Sequence, residues 1–246
     1  MILLDCGNSA IKAQFREQDR LRASFSCSYA PGWLEAFIKW LEGCEASHCY
    51  ICSVLASEHS AGIENALKPV FGDRVTRFRS QPEAPGLINA YRQPERLGVD
   101  RWMAMIGAVA LNPGHCIVVD AGSAITLDLI RADGQHLGGA ILPGVRTSID
   151  NFKRIFSHIK LDESAGLQNQ PPGCTTETAI RLNYDTDPVT ATVELIHRWA
   201  GLFDSQPCVL LTGGDAGKIQ QQLGSSARIL PDLVFQGMRE LIIKNR

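Results

Sequence analysis

Two stretches of this chain carry the same arrangement of residues able to do chemistry. Ile2-Leu3-Leu4-Asp5-Cys6-Gly7-Asn8-Ser9-Ala10-Ile11 returns, one residue shorter, as Ile117-Val118-Val119-Asp120-Ala121-Gly122-Ser123-Ala124-Ile125. Each is an apolar run that reaches an aspartate, turns through Asp-x-Gly, and resumes with a hydroxyl residue and further apolar positions. A strand ending this way puts a carboxylate and a bare backbone turn at one edge of a sheet, where glycine lets main-chain N–H groups approach a phosphate. In the first copy the amides of Gly7, Asn8 and Ser9 and the Ser9 hydroxyl can cradle a β- or γ-phosphate. Asp5 can hold a divalent ion through water, because magnesium keeps much of its hydration shell, and Lys12 adds a point charge close by. In the second copy Asp120 can coordinate a cation and Ser123 can grip the same phosphates. Ordinary hairpin turns with solvated polar tips are the plain alternative. Two copies in corresponding places favour two like domains closing on one nucleotide.

A third constellation is Leu97-Gly98-Val99-Asp100-Arg101-Trp102. Asp100 fits the first turn of a helix, where a carboxylate caps free N–H groups, and capping alone would explain it. The chemical reading is that Asp100 orients a substrate hydroxyl while Arg101 holds a substrate carboxylate bidentately. In phosphoryl transfer such an aspartate positions the nucleophile and accepts its proton late. Thr212-Gly213-Gly214-Asp215-Ala216-Gly217-Lys218 imitates a P-loop, but the spacing is one residue short and Ile219 stands where a magnesium-binding hydroxyl belongs. It remains open as a glycine turn over an adenine or ribose. Thr175-Thr176-Glu177-Thr178 reads as a helix cap.

The eight cysteines and six histidines show no converging set. Cys49 and Cys52, three apart on a strand, face opposite ways and would not share a metal, so the cysteines read as small buried hydrophobes. The six histidines read as surface or core residues.

The elements that must position these residues follow from spacing. Strands are expected at Ile2–Leu4, Ile11–Phe15 and Leu21–Ser26. An amphipathic helix follows Pro31, with Trp33, Leu34, Phe37, Ile38 and Leu41 at helical spacing. Then come a strand over Cys49–Leu55, a helix around Ile63–Val70, a strand at Arg74–Phe78 and a polar, proline-rich loop from Gln81 to Arg96. The second half opens with a helix at Asp100–Leu111, stopped by Asn112-Pro113-Gly114. It continues with strands at Ile117–Val119, Ile125–Ile130 and Gly138–Leu142, the last turning at Pro143-Gly144. Helices follow at Val145–Phe156, Thr176–Leu182 and Val189–Phe203, then a strand at Cys208–Leu211 and a helix at Leu233–Lys244. Both halves read as βββαβαβ.

With 246 residues, 45% apolar and 20% charged, the chain suits two domains of an ordinary globular protein. A net charge of −2 gives no footprint for nucleic acid. Apolar runs are strand-length, so no membrane span is expected, and no export signal is visible. The expected location is the cytoplasm.

Asp5-Cys6-Gly7-Asn8-Ser9, Gly98-Val99-Asp100-Arg101-Trp102, Asp120-Ala121-Gly122-Ser123, Gly138-Gly139-Ala140-Ile141-Leu142-Pro143-Gly144 and Thr212-Gly213-Gly214 together resemble the type III pantothenate kinases, in order and over nearly the whole chain. The Gly-x-Asp-Arg-Trp element discriminates, since Asp-x-Gly turns occur across the wider actin and sugar-kinase superfamily. The resemblance implies an α/β fold of two similar actin-like (ribonuclease H-like) domains, each a mixed sheet flanked by helices. The first would span residues 1–96 with one phosphate loop; the second, 97–246, would hold the other and the dimer interface. The implied reaction moves the γ-phosphate of ATP to the terminal hydroxyl of pantothenate, with Mg2+ and a monovalent cation, K+ or NH4+, in a homodimer. Carried over, Asp5, Cys6, Gly7, Asn8, Ser9, Ala10, Ile11 and Lys12 form the first ATP loop and Ser123 touches ATP. Asp100 accepts the proton, and Tyr91, Gly98, Val99, Asp100, Arg101 and Thr176 contact pantothenate. Thr175 and Thr178 rival Thr176 for that role. Asp120 binds the monovalent cation, and Asp5 holds magnesium through water. Serine at Ser9 and Ser123, where the family commonly has threonine, keeps the hydroxyl. The competing function is a nucleotide-binding accessory protein without kinase activity; the presence of Asp5, Asp100 and Arg101 argues against it.

Overall fold

The computed structural model describes residues 1–55, 57–155 and 187–244. The opening strand β1 (Ile2–Cys6) pairs antiparallel with β2 (Ala10–Glu17), which pairs antiparallel with β3 (Arg20–Ser28). On its other side β1 takes β4 (Cys49–Ser53) in parallel, and β4 takes β5 (Val75–Arg77) in parallel. Parallel neighbours need a crossover rather than a tight turn. Helices α1 (Trp33–Glu42) and α2 (Ser57–Phe71) supply the two crossovers. Ile2, Leu3 and Leu4 are all fully buried, as expected of a central strand covered on both faces. One face packs Ile2 and Leu4 with Phe37 and Leu41 of α1 and Ile63, Leu67 and Phe71 of α2, each such side chain contributing about 1.5–3 kcal/mol on burial.

The region expected as a loop from Gln81 to Arg96 contains a two-stranded hairpin, β6 (Glu83–Ala84) and β7 (Leu87–Ile88), and a single 3-10 turn at Pro94–Arg96. Helix α3 (Val99–Leu111) follows.

The second sheet repeats the first. Strands β8 (Cys116–Ala121), β9 (Ala124–Ile130) and β10 (His136–Pro143) form the antiparallel meander, and β11 (Cys208–Thr212) and β12 (Ala227–Ile229) add in parallel. The strand orders, β3-β2-β1-β4-β5 and β10-β9-β8-β11-β12, correspond place for place. Helices α4 (Val145–Ile155) and α5 (Asp187–Ala200) lie in the crossover from β10 to β11, and α6 (Ala216–Leu223) in that from β11 to β12. The core joins Ile117, Val119, Leu127 and Leu211 of the sheet to Val189, Val193 and Ile196 of α5 and Ile219 of α6. The final helix is α7 (Leu233–Lys244).

The chain divides into two compact units, residues 1–111 with 232–246, and residues 112–231. This grouping differs from a boundary at Arg96 because α3 and α7 both belong to the first unit. They pack backbone to backbone: a Cβ on Gly107 of α3 would strike the Leu233 carbonyl of α7 and lie 3.0 Å from the Gly237 nitrogen. Besides the β6–β7 hairpin, α6 and β12 have no counterpart in the sequence reading. The helix expected at Thr176–Leu182, and Phe156 at the end of the α4 expectation, lie outside the described residues.

Candidate active site

The first turn sits where β1 hands over to β2. The Gly7 N–H donates to the Ala10 carbonyl at 3.1 Å, which closes the turn and leaves Asn8 and Ser9 exposed at its tip. Asp5 is half-buried and lies directly opposite Lys12 in the antiparallel register, so carboxylate and ammonium stem share one face of the sheet. Cys6, the next residue, points into the core with 1% exposure. Burial, then the neighbouring Asp5 and Cys49, push its thiol pKa far up against a smaller opposing pull from Arg77, so it stays a neutral filler beneath the turn.

The Asp100–Arg101 pair opens α3. The Arg101 N–H donates to Asp100 Oδ1 at 2.8 Å, which is helix-capping geometry in part. Gly98 makes room for that carboxylate, since a Cβ there would lie 2.6 Å from Asp100 Oδ1. Arg101 is 6% exposed, and a cation buried that far needs defined partners. One is Tyr91: Arg101 Nη1 donates to its hydroxyl at 2.9 Å, with the guanidinium carbon 5.7 Å from the ring centroid. Tyr91 is in turn fixed through its N–H, which donates to Asn89 Oδ1 at 2.9 Å. An open cleft of about 520 Å³ lined by Tyr91, Arg92, Gln93 and Arg96 adjoins this pair. The structure thus brings Tyr91, Gly98, Asp100 and Arg101 into one polar cluster, next to Val99, whose side chain is buried.

In the second unit the Asp120 turn is one residue tighter, with the Gly122 N–H donating to the Ala124 carbonyl at 3.0 Å. Asp120 is half-buried, and its register neighbours are Thr126 on β9 and Thr212 on β11. Ser123 is exposed, while its carbonyl accepts bonds from the Gly144 N–H at 3.0 Å and from Thr147 Oγ1 at 2.6 Å. The P-loop imitation folds against the same turn. Gly213 adopts φ +90°, a Cβ on it would lie 2.5 Å from the Ala121 carbonyl and 2.6 Å from Asp120 Oδ1, and the Asp215 N–H donates to the Ala121 carbonyl at 3.0 Å. Lys218, the residue that mimics a P-loop lysine, lies 3.3 Å from Asp215 Oδ1. Residues 144, 147 and 213 were absent from the expected site. The two glycine motifs Pro143-Gly144 and Thr212-Gly213-Gly214 signalled turns, but not that Gly144 would close on Gly122 and Ser123 and Gly213 on Ala121 and Asp120. Thr176 and its rivals Thr175 and Thr178 lie outside the described residues.

Among the described residues no group of three or more His, Cys, Asp or Glu converges as a metal cage. A hydrated divalent ion on a nucleotide does not need one, taking one or two carboxylates plus phosphate oxygens, and Asp5, half-buried three residues before the exposed Asn8, offers one such carboxylate. Asp120, among carbonyl and hydroxyl oxygens, suits a hard cation by the same chemistry.

Comparison with known proteins bears directly on this arrangement. A family model described as type III pantothenate kinase matches residues 1–184. A type III pantothenate kinase of Pseudomonas fluorescens is 36% identical, covering 97% of each chain. A solved structure from Campylobacter jejuni, described as a Baf family transcriptional activator, is 26% identical at a TM-score of 0.59, over 100% of this chain and 98% of that one. Component A of the (R)-2-hydroxyglutaryl-CoA dehydratase of Acidaminococcus fermentans shares the fold at 13% identity, with a TM-score of 0.52 and coverage of 99% and 96%. The repeated five-stranded units are therefore two actin-like domains, as the sequence reading expected.

Proposed function

The chain belongs to the type III pantothenate kinases, and from that premise we propose how its own residues divide the work. The reaction is ATP-dependent phosphorylation of pantothenate to 4'-phosphopantothenate, the first step of coenzyme A biosynthesis. A kinase of this family uses ATP with a divalent metal. In this reading the metal is Mg2+: Asp5 would hold it through water, and when bound it would supply charge neutralisation at the phosphate oxygens.

The turn from Asp5 to Lys12 holds the ATP phosphates: main-chain N–H groups at Gly7, Asn8 and Ser9 donate to oxygens, Lys12 adds a charge, and Asp5 accepts from metal-bound water. Ser123 donates to ATP from the second turn, and Asp120 holds a monovalent cation, K+ or NH4+. Arg101, braced by Tyr91, grips the pantothenate carboxylate with its planar fork. Asp100 accepts a hydrogen bond from the terminal hydroxyl and takes its proton as the oxygen bonds to the γ-phosphorus and ADP leaves. Gly98, Val99 and Thr176 complete the pantothenate contacts. The observation that supports this reading is the Tyr91–Arg101 bond beside Asp100: a guanidinium and a carboxylate adjoin in the first turn of α3. The enzyme works as a homodimer in the cytoplasm, where ATP, magnesium and potassium abound; among the described residues no helix is long and apolar enough to cross a membrane.

The test is ATP consumption by purified protein in Mg2+, with and without pantothenate, in potassium and then sodium buffer. Pantothenate-dependent turnover that needs potassium, and loses that need in Asp120→Asn, supports the assignment. Equal rates in both salts would remove Asp120 from the cation role.

A further inference from the structure

Between β5 and α3 the chain makes the β6–β7 hairpin and then runs back along the helix it is about to enter. The hairpin's tip leans on the later part of α3: Gly86 holds φ +82°, and a Cβ on it would lie 3.2 Å from Val109 Cγ1. Leu87 beside it is buried. Five residues past the tip, Tyr91 reaches Arg101. Arg101 precedes Val109 by eight residues, about 12 Å along the helix axis.

Asn89 fastens this return leg. One step beyond the ladder pair Glu83–Ile88, its N–H donates to the Pro82 carbonyl at 2.9 Å and its Nδ2 to the Gln81 carbonyl at 3.0 Å. Its Oδ1 accepts the Tyr91 N–H at 2.9 Å, a bond from a side chain to its own backbone two residues on, which asparagine favours. The two ends of the amide therefore do different jobs. The NH2 closes the hairpin and the oxygen holds Tyr91. An aspartate would have no donor for Gln81, and a flipped amide would set oxygen against oxygen. Closing a hairpin explains the first two bonds and leaves the third, which acts on Tyr91.

The neighbouring site residues are held by other bonds. The buried Ser80 Oγ donates to the Leu97 carbonyl at 2.8 Å, and the Arg101 N–H donates to Asp100 Oδ1 at 2.8 Å. Releasing Tyr91 therefore leaves these anchors of Leu97 and Asp100 intact.

We infer that Asn89 is a positioning residue for the anion grip: by holding the Tyr91 backbone it aims the phenolic oxygen at Arg101 Nη1, and so sets the plane in which the guanidinium meets a carboxylate. It touches no substrate and acts through Tyr91. The inference rests on the reading of Arg101 as the group that holds the pantothenate carboxylate.

Two variants separate this role from a structural one. Asn89→Ala removes both amide bonds. Asn89→Ser loses the Gln81 bond but keeps a hydroxyl that can accept the Tyr91 N–H, the weaker form of the same turn. Both should melt below the parent. In steady-state kinetics on the full chain, Asn89→Ala raises the KM for pantothenate by about 2–10-fold, the range for one hydrogen bond, and by no more than Tyr91→Phe does. Its kcat and its KM for ATP stay at parent values. Asn89→Ser recovers most of the pantothenate KM while still melting below the parent, which a merely structural role would not allow. Added to Tyr91→Phe, Asn89→Ala produces no further loss. A parent-like pantothenate KM in Asn89→Ala, while Arg101→Lys raises it, overturns the inference and spares the carboxylate reading. Equal KM rises in the alanine and serine variants, or an equal loss with and without the Tyr91 hydroxyl, overturn it too. A parent-like pantothenate KM in Arg101→Lys overturns the carboxylate reading and the inference with it.

Discussion

Arg101 Nη1 donates to the Tyr91 hydroxyl at 2.9 Å, and the two groups face each other across 5.7 Å from guanidinium carbon to ring centroid. The bond uses one guanidinium N–H to orient the side chain. Lysine keeps the charge but has neither fork nor flat face. Arg101→Lys should therefore raise the KM for pantothenate by about 10-fold or more while leaving the KM for ATP near the parent value. Tyr91→Phe, which removes one hydrogen bond, should raise it by about 2–10-fold. Steady-state kinetics with each substrate varied checks both, and an unchanged pantothenate KM in Arg101→Lys would take the carboxylate away from this side chain.

The distance between Gly98 and Asp100 sets a second expectation. A methyl group at 98 would sit 2.6 Å from Asp100 Oδ1, and the carboxylate, as the end of a flexible side chain, would turn aside. Gly98→Ala should fold normally, bind ATP normally and turn over about 10–100-fold more slowly, as expected of a misplaced catalytic group. Asp100→Asn, with the proton acceptor gone, should lose about 10²–10⁴-fold in kcat. Were Asp100→Asn to keep near-parent turnover, the proton would have another destination.

Much of this was legible in residue order. The Asp-x-Gly repeat announced both turns because each is local: an apolar strand, a carboxylate, a glycine and a hydroxyl within nine or ten residues. The corresponding strand orders of the two sheets follow from the same repeat. What escaped was mostly long-range. The approach of Gly213 to Asp120 depends on β11 lying beside β8, which the pattern of neither segment states. The α3–α7 packing that carries both helices into the first unit joins segments more than a hundred residues apart. Helix α6 was hidden because it is only eight residues long and begins inside the glycine-rich run that imitates a P-loop, with Gly217 in its first turn.

Gly213 and Gly214 stand side by side yet should respond in opposite ways. Gly213 holds φ +90°, and a Cβ would press on Ala121 backbone atoms at 2.5 Å, which no rotamer change can relieve; Gly214 has open space where its Cβ would be. Gly213→Ala should cost at least about 1–3 kcal/mol from the backbone conformation alone, lower the melting temperature and displace Asp120, so that potassium activation falls with it. Gly214→Ala should melt and turn over like the parent. Thermal melts and salt-dependent rates on the two variants decide the matter, and equal stability of the pair would show that the Gly213 approach is not needed.

Buried thiols, Cys49 and Cys116 among them, give the fold a pH limit on the alkaline side. Burial pushes Cys49 of β4 up from about 9 to about 12, partly opposed by Arg77 and the N-terminal ammonium, and pushes Cys116 of β8 to about 12 with a smaller contribution from Cys208. Both are fully buried. In the unfolded chain these thiols ionise near their ordinary value, whereas in the folded protein they hold their protons until about pH 12. Between those limits the unfolded state binds fewer protons, so stability falls as pH rises. The contribution is fully present below about pH 9 and is lost on the way to about pH 12, at up to about 1.4 kcal/mol per pH unit for each thiol. Urea unfolding from pH 8 upward should show that decline, and Cys116→Ala, though less stable at pH 8 because it leaves a small cavity, should decline less steeply. At pH 8 both thiols should also resist iodoacetamide in the native protein and react on unfolding. A Cys116→Ala slope identical to the parent's would show that this thiol plays no part in the alkaline loss.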